Sequence, residues 1–189
     1  PVRYGTENFL AKLAPEQRDR VVIERKDVMA PGGPKTDLIL AMNFSYFIFK
    51  KREELKAYFV NAFRNLRPGG VLAMDCFGGS GVHRPNAERT VHPDFVYYWE
   101  QFDFDPVHYT AHCAMHFKPK GGRKIKNVFT YDWRIWSIAE IRELLAEAGF
   151  RASHVYWEGD DGTQGNGKFA RDENGGHEEI WIAMILAEK

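Results

Sequence analysis

The chain has 189 residues, which is the size of one ordinary domain. Its 26 basic and 26 acidic side chains give a formal net charge of zero, and 44% of its residues are hydrophobic. This balance is typical of a globular protein, and it argues against tight binding to nucleic acid or to an anionic membrane. No apolar run approaches the roughly 18 residues that cross a bilayer. Two cysteines in apolar stretches favour a reducing, cytoplasmic location.

The first elements are a predicted helix and two predicted strands. Residues 2–13 place apolar side chains at loose helical intervals, and Pro15 is expected to end this helix. Residues 20–26 are rich in β-branched side chains, which predicts a short strand. Residues 37–42 (DLILAM) are almost wholly apolar, which predicts a strand buried on both faces, as in a parallel sheet.

A strand–helix–strand unit follows from this second strand. Residues 52–66 repeat apolar side chains at i, i+3, i+4 and i+7, which predicts an amphipathic helix. Pro68-Gly69-Gly70 ends the helix, and residues 71–77 (VLAMDCF) predict another buried strand. A unit of this kind requires parallel strands with a right-handed crossover.

The middle of the chain changes to an aromatic-rich pattern. After a loop at residues 78–93, three strand-like segments are separated by turn signals, and they lie at residues 95–104, 108–117 and 125–136. We interpret residues 94–136 as an antiparallel meander inserted into the parallel fold.

The last third of the chain predicts a helix and a hairpin. Ser137 and Glu140 form a capping box before an apolar stripe, and Gly149 ends the helix. Strands are expected at residues 152–157 and 179–187. The hairpin tip between them, residues 158–176, lacks the spacing of a calcium loop, and we interpret it as a mobile flap or contact surface.

Four short motifs occur in a fixed order: Lys26-Asp27-Val28, DLILAMNFS at 37–45, NLRPGGVL at 65–72 and LLAEAGF at 144–150. Together they resemble the later motifs of class I S-adenosylmethionine-dependent methyltransferases. The meander resembles the lid of small-molecule N-methyltransferases of the glycine and sarcosine type. The resemblance implies an α/β fold with a Rossmann-like sheet of strand order 3-2-1-4-5-7-6.

One part of the family pattern has no counterpart, namely the glycine-rich loop after the first strand and the second strand with its acidic end. Gly78-Gly79-Ser80-Gly81 does not replace that loop, because no helix follows it. Strands one and two are therefore expected to be absent from this chain. We expect an upstream segment of roughly 60 or 70 residues, so that residues 1–189 form a single, N-terminally incomplete domain.

The resemblance implies S-adenosyl-L-methionine as the cofactor. Asp27 would accept a hydrogen bond from the adenine amino group, with the Val28 backbone beside the ring. Met42, Asn43 and Phe44 would contact the methionine part, mainly through the backbone, at the edge where open α/β sheets bind ligands. The alternatives are a solvated turn at Asp27 and simple burial at the strand end.

Methyl transfer requires alignment of the acceptor and exclusion of water, which aromatic walls provide. The meander offers five aromatic side chains that either contact the substrate or pack onto the core: Tyr97, Trp99, Tyr131, Trp133 and Trp136. Their faces would also suit a cationic amine or a sulfonium.

Three side chains near the expected mouth of the site are candidate general bases: Asp75, His83 and Asp132. Each also suits an ordinary polar position. His108, His112 and His116 recur every four residues, but such positions on a strand lie about 13 Å apart. We therefore expect no metal site there and interpret these histidines as a polar strand face.

The leading hypothesis is a cytoplasmic transferase that moves a methyl group from S-adenosylmethionine to a nitrogen or oxygen of a small molecule, with no nucleic-acid or membrane partner. The sequence does not indicate an oligomeric state. The alternative is a non-catalytic, truncated or degenerate scaffold that binds a partner through an exposed sheet edge. A nicotinamide-dependent oxidoreductase would also need the missing glycine-rich loop and fits the antiparallel tail poorly.

Overall fold

The computed structural model describes residues 2–162 and 165–189. The chain divides into two compact units, residues 1–32 and 33–189. The first unit contains helix α1 (Val2–Asn8), a short helical turn (Leu10–Lys12) and helix α2 (Pro15–Arg18). Pro15 thus begins a helix and does not end one, which suits its fixed φ and missing N–H at the first helical position.

The strand predicted at residues 20–26 is wrong. Residues 21–27 have no regular secondary structure, and Val22 is 80% exposed. A strand needs a neighbour that pairs with its backbone N–H and C=O groups. No strand in residues 2–162 or 165–189 pairs with this segment, so its β-branched composition alone does not make it a strand.

The described part of the second unit is built from two sheets, two α-helices and two short 3-10 helices, which are Ser45–Ile48 and Ser80–His83. Within residues 33–162 and 165–189 its elements are β1 (Thr36–Ala41), α3 (Arg52–Asn65), β2 (Leu66–Gly78), β3 (Asn86–Val91), β4 (Phe95–Gln101), β5 (Thr110–Pro119), β6 (Ile125–Arg134), α4 (Ile138–Ala148), β7 (Ala152–Asp160), β8 (Gly165–Arg171) and β9 (Trp181–Glu188). The first sheet has the order β1-β2-β9-β7-β8, and the second has the order β3-β4-β5-β6. This confirms an α/β fold that combines a mixed sheet with an antiparallel one.

The strand–helix–strand unit is confirmed by β1, α3 and β2, with β1 and β2 parallel. The prediction that Pro68-Gly69-Gly70 ends the helix is wrong, because α3 ends at Asn65 and residues 68–70 belong to β2. The predicted apolar stripe of α3 is buried at Leu55, Phe59 and Ala62. The prediction that β1 is buried on both faces is wrong, because Leu38 is 51% and Leu40 is 61% exposed. Successive side chains of a strand point to opposite faces, so only alternate residues of β1 are directed toward the core.

Helix α4 is confirmed with the predicted ends. Ser137 Oγ accepts a hydrogen bond from the Glu140 N–H at 3.2 Å, and Glu140 Oε2 accepts one from the Ser137 N–H at 3.0 Å. Gly149 ends the helix with a left-handed φ of 107°. Helix α3 contacts β2, helix α4 contacts β7, and the two helices contact each other. They therefore cover one face of the first sheet.

The predicted terminal hairpin is present, since β7 and β9 pair antiparallel from Ala152–Glu188 to Trp157–Ala183. The sequence indicated no strand in the tip of this hairpin, but the structure has one there. Residues 165–171 form β8, which pairs with β7 at the edge of the sheet. Residues 163 and 164 of the tip lie outside the described part of the chain.

The three predicted strands of the meander are confirmed as β4, β5 and β6, and β3 adds a strand in the segment predicted as a loop. The interpretation of His116 as part of a polar exposed face is wrong, because it is only 2% exposed. It lies at a register shift between β5 and β6. There its Nδ1 accepts the Asn127 N–H at 2.8 Å, and its Nε2 lies 2.9 Å from Glu100 Oε2.

The two cysteines, Cys76 and Cys113, are buried free thiols. Desolvation raises the pKa of the Cys113 thiol to about 12, so this group is uncharged at neutral pH. Among the described residues, no helix has the length and apolar character to cross a membrane.

An exposed ion-pair cluster links the two helices of the second unit. The Arg52 guanidinium donates two hydrogen bonds to the Glu147 carboxylate, one of them at 3.2 Å, and Lys56 Nζ lies 3.0 Å from the same group. These cations lower the pKa of Glu147 from 4.5 to about 2. Because the pKa is lower in the folded state, the cluster stabilises the protein above pH 4.5, and this contribution is lost as the pH falls toward 2.

We predict that Glu147→Gln lowers the midpoint of urea unfolding at neutral pH, and that its difference from the wild type shrinks as the pH falls from 4.5 toward 2. The effect should be small and should weaken with added salt, because the side chains are exposed. Glu143→Gln on the same helix is the matched control. A difference that stays constant across this pH range would contradict the prediction.

Candidate functional site

The turn that follows β1 has an unusual backbone. Asn43 and Phe44 have φ angles of 58° and 53°, so two consecutive non-glycine residues are left-handed. This conformation costs about 1–2 kcal/mol per residue and persists only where other contacts hold it. The turn lies at the carboxyl end of a parallel strand, which is the edge where open α/β sheets bind ligands.

The Asp75 carboxylate in β2 holds this turn. Its Oδ2 accepts the Asn43 N–H at 2.8 Å, and its Oδ1 accepts the Phe44 N–H at 2.9 Å. Asp75 is 8% exposed, and its own carbonyl accepts the Tyr46 hydroxyl at 2.8 Å. Burial raises the pKa of the Asp75 carboxyl above its usual value, while the two N–H groups oppose that rise.

A cavity of about 360 Å³ opens beside this turn, within the size range of small-molecule sites. Residues of both sheets line it: Asn43, Phe44, Phe77, Glu88, Tyr97, Trp99, Met115, Tyr131, Trp133, Ile180 and Ile182. Most of this lining is apolar or aromatic. Among the described residues, the polar groups carried by these side chains are one amide, two phenol hydroxyls, two indole N–H groups and one carboxylate, that of Glu88.

Three aromatic side chains form a continuous wall of the cavity. The ring centroids of Tyr131 and Trp133 are 4.3 Å apart, and Trp99 lies 5.8 Å from Trp133 and 5.9 Å from Tyr131. They occupy alternate positions of β4 and β6, so that strand alternation directs them to the same face of the second sheet. The sequence predicted these side chains, and the antiparallel pairing brings them together.

Phe77, at the end of β2, joins the two sheets. Its ring centroid lies 4.8 Å from that of Phe44, 5.4 Å from Phe47 and 6.0 Å from Trp133. Arg134 adds a polar link, because its Nη1 donates to the Lys50 carbonyl at 2.9 Å. The aromatic wall is thus fixed against the turn that follows β1.

The glycines after β2 allow a close backbone approach. The Gly81 N–H donates to the Glu179 carbonyl at 2.7 Å. A Cβ atom at Gly79, where φ is +110°, would lie 2.4 Å from the same oxygen. The segment before β9, which brings Ile180 to the cavity, therefore packs directly on this loop, and a side chain at Gly79 would displace it.

Six of the predicted site residues line the cavity: Asn43, Phe44, Tyr97, Trp99, Tyr131 and Trp133. Trp136 does not, because it is buried in the core, where its Nε1 donates to the Phe49 carbonyl at 3.0 Å. The alternative that these aromatic side chains pack onto the core therefore describes Trp136, and it also describes most of the surface of Trp133, which is only 2% exposed. Met42 is 38% exposed and lies outside the lining.

Asp27 and Val28 belong to the first unit of the chain. The Asp27 carboxylate accepts the Met29 N–H at 2.8 Å, which is a local side-chain turn, and Val28 is 59% exposed. Their role at the adenine ring stays a prediction.

None of the three candidate bases lines the cavity. Asp75 is occupied by the turn, His83 Nε2 lies 2.7 Å from the Tyr109 hydroxyl, and Asp132 forms an ion pair with Lys50. The sequence missed Glu88 because it lies in the segment predicted as a loop. Only a weak alternation in residues 86–91 could have indicated it.

The phenol of Tyr97 is protonated at neutral pH. Burial and then the negative charge of Glu88 raise the pKa of Tyr97 to about 12. Its hydroxyl can therefore donate a hydrogen bond to a ligand in the cavity.

The histidines of β5 and the preceding turn form separate polar pairs. His108 Nδ1 lies 2.6 Å from Asp105 Oδ2, and His112 Nδ1 lies 2.9 Å from Asp103 Oδ2. No group of three or more metal-ligating side chains in the described part of the chain is arranged to hold an ion.

No protein-family model matches the chain, and no curated protein matches it. Several solved structures are similar. An S-adenosylmethionine-dependent methyltransferase from Clostridium acetobutylicum is 18% identical, with a TM-score of 0.59, over 92% of this chain and 68% of that one. The CcbJ methyltransferase from Streptomyces caelestis is 17% identical, with a TM-score of 0.57, over 82% of this chain and 61% of that one.

A third similar structure is CalS10 from Micromonospora echinaspora, an amino pentose methyltransferase bound to S-adenosylmethionine. It is 13% identical, with a TM-score of 0.53, over 84% of this chain and 62% of that one. At these identities the comparisons define the fold, which is that of class I S-adenosylmethionine-dependent methyltransferases. The chain spans about 61% to 68% of the length of these three structures.

We predict that Asp75→Asn lowers the free energy of unfolding by about 2–3 kcal/mol, because one of the two turn N–H groups would face an amide NH₂ in place of an oxygen. Urea unfolding measures this loss. The control is Asp37→Asn, an exposed ion-pair residue whose loss should cost less than about 1 kcal/mol. Equal stability of Asp75→Asn and the wild type would show that the turn does not depend on this carboxylate.

Proposed function

We propose that the protein transfers a methyl group from S-adenosylmethionine to a nitrogen or oxygen atom of a small molecule. One observation carries the proposal: the left-handed turn at Asn43 and Phe44 and the aromatic wall at Trp99 and Trp133 face one cavity of about 360 Å³. A cofactor held at the turn would therefore lie beside an acceptor held at the wall. A cytoplasmic location and the lack of nucleic-acid or membrane partners stay predictions.

The fold supports this assignment. In the proposal, β1, β2, β9 and β7 correspond to the fourth, fifth, seventh and sixth strands of the expected order 3-2-1-4-5-7-6, as their spatial sequence suggests. The meander then follows the fifth strand, and its proposed role is that of a lid. In the family that the sequence resembles, a glycine-rich loop and the second strand also bind the cofactor. Neither element has a counterpart among the described residues.

The groups at the turn fit the methionine part of the cofactor in a specific way. Asp75 already occupies the N–H groups of Asn43 and Phe44. The Phe44 carbonyl in turn accepts the Phe47 N–H at 2.9 Å. A ligand at the turn would therefore meet the backbone carbonyl of Asn43, and a carbonyl oxygen is suited to an ammonium group. Asp27 and Val28 are the residues proposed for the adenine ring.

When bound, S-adenosylmethionine supplies an electrophilic methyl group on sulfur. The protein has to align the acceptor, exclude water and receive a proton where the acceptor carries one. Trp99, Trp133 and Phe77 exclude water from the cavity. The Tyr97 hydroxyl can orient the acceptor, and Glu88 is the carboxylate in the lining that can receive the proton.

One of the similar solved structures suggests which class of acceptor to test first. CalS10 is described as an amino pentose methyltransferase. Small amino sugars, with matched hydroxyl sugars for comparison, are therefore the first acceptors to test.

The decisive experiment combines calorimetric titration of the purified protein with S-adenosylmethionine and transfer of a radiolabelled methyl group to these acceptors. Saturable cofactor binding and labelled product are expected. The absence of any saturable binding would refute the proposal.

We further predict that Asn43→Gly binds S-adenosylmethionine within about 3-fold of the wild-type affinity, because glycine adopts the left-handed backbone without strain. Asn43→Val should weaken binding by about 10-fold, because a β-branched side chain opposes this conformation. Calorimetry measures both affinities, and thermal unfolding checks that each variant is folded. Equal affinities of the two variants would contradict the proposed backbone contact.

A second candidate function is a partner-binding module without catalysis. The observation that favours it is the exposure of Leu38 and Leu40 on β1, which is an edge strand among the described residues. The same titration separates the candidates, because a module of this kind binds no S-adenosylmethionine.

A further inference from the structure

We propose that the cavity binds a cationic amine, that Glu88 selects this charge, and that the bound amine is the methyl acceptor. The last clause rests on the proposed function, in which the ammonium group first gives a proton to Glu88. The freed lone pair would then form the new N–C bond while the S–C bond of the methyl donor breaks, and the donor would leave as a thioether. The inference extends it from an unspecified nitrogen or oxygen acceptor to one chemical class, and it assigns the selection to one residue.

The position of Glu88 follows from the register of the second sheet. Glu88 in β3 lies directly opposite Trp99 in β4, and Trp99 lies opposite Met115 in β5. Directly opposite residues of an antiparallel pair point to the same face, with Cβ atoms about 5 Å apart. The carboxylate therefore lies beside the indole of Trp99, on the side of the sheet that lines the cavity.

The charge of Glu88 is not compensated locally. Of the residues described in the structure, those that line the cavity include no lysine, arginine or histidine. Among the residues that the structure describes, no ion pair or hydrogen bond involves the Glu88 carboxylate. A cationic ligand would pair with this charge, whereas a neutral alcohol of the same shape would leave it unpaired.

The neighbouring aromatic rings favour the same kind of ligand. Trp99 lines the cavity, and an indole is the best aromatic partner for a cation. Trp133, which is only 2% exposed, packs behind it with a centroid distance of 5.8 Å. Glu88 also lies close enough to Tyr97 for its charge to raise the pKa of that phenol. Carboxylate, indole and phenol thus surround one position.

The surroundings of the cavity are also negative. An adjoining cleft of about 610 Å³ shares Glu88, Ile180 and Ile182 with the cavity. Its lining adds three further carboxylates, those of Glu158, Asp160 and Glu178. Their field raises the local concentration of cations at the mouth of the cavity and disfavours anionic ligands.

The test compares two probes of nearly equal shape, choline and 3,3-dimethylbutan-1-ol, which differ in the positive charge. Binding is followed by tryptophan fluorescence without S-adenosylmethionine. We expect the wild type to bind choline about 10-fold more tightly than the neutral alcohol. Glu88→Gln should reduce this preference by about 5-fold, because Glu88 is partly exposed to water.

Two further variants act as controls. Glu53→Gln in the first turn of α3 makes the same change of net charge outside the cavity and should keep the full preference. Glu88→Asp keeps the carboxylate and should keep most of the preference. Circular dichroism and thermal unfolding verify that each variant is folded.

Equal affinity for the two probes, binding of neither probe, or an unchanged preference in Glu88→Gln would overturn the inference. The result is separable from the test of the proposed function, because the probes do not need the cofactor. Cofactor binding without a cation preference refutes the inference alone. A cation preference without cofactor binding refutes the methyltransferase assignment. The remaining conclusion would be that the cavity binds cations and that Glu88 selects them.

Discussion

The candidate site depends on two hydrogen bonds that backbone N–H groups donate to one buried carboxylate, that of Asp75. Two consecutive left-handed residues would not persist at the end of β1 without a fixed acceptor for their N–H groups. Asp75 supplies both oxygens from the neighbouring strand, at 2.8 and 2.9 Å. This constraint fixes the ring of Phe44, which packs on Phe77, and Phe77 in turn packs on Trp133 of the second sheet. The shape of the cavity therefore depends on the hydrogen bonds of Asp75, although Asp75 itself does not line the cavity.

Two carboxylates of the second unit, those of Asp75 and Glu88, have different roles because their surroundings differ. Asp75 is almost fully buried, both of its oxygens accept backbone N–H groups, and its side chain lies outside the cavity lining, so it holds the turn and does not contact a ligand there. Glu88 is exposed at the cavity and has no local counter-charge among the described residues. The first carboxylate organises backbone, and the second is free to recognise charge. Sequence proximity to a strand end identified Asp75 but gave no information about which oxygens remain available.

The elements with local sequence signals were predicted well. The stripe of α3 and the capping box of α4 are encoded within a few residues, and alternation along β4 and β6 placed Trp99 and Trp133 on one face. Predictions failed where structure depends on distant partners. Residues 20–26 have strand composition but no pairing neighbour among the described residues. His116 lies buried at a register shift, where it is hydrogen-bonded to Asn127 and Glu100, and the sequence of its own strand does not indicate these partners. Glu88 reaches the cavity because β3 pairs with β4, and this pairing between strands is not encoded in residues 86–91 alone.

The glycines that follow β2 have a consequence for how this site can diversify. Backbone atoms of the segment before β9 lie so close to Gly79 and Gly81 that a Cβ atom would fall within 2.4 to 2.9 Å of the Glu179 carbonyl. Close backbone packing between this glycine loop and the segment before β9 therefore determines the shape of this part of the cavity. Ile180, which the same segment carries, borders both the cavity and the adjoining acidic cleft. Substitutions of Ile180 would widen or narrow the connection between the cavity and the acidic cleft. Ligand specificity can therefore change during evolution while the backbone stays the same.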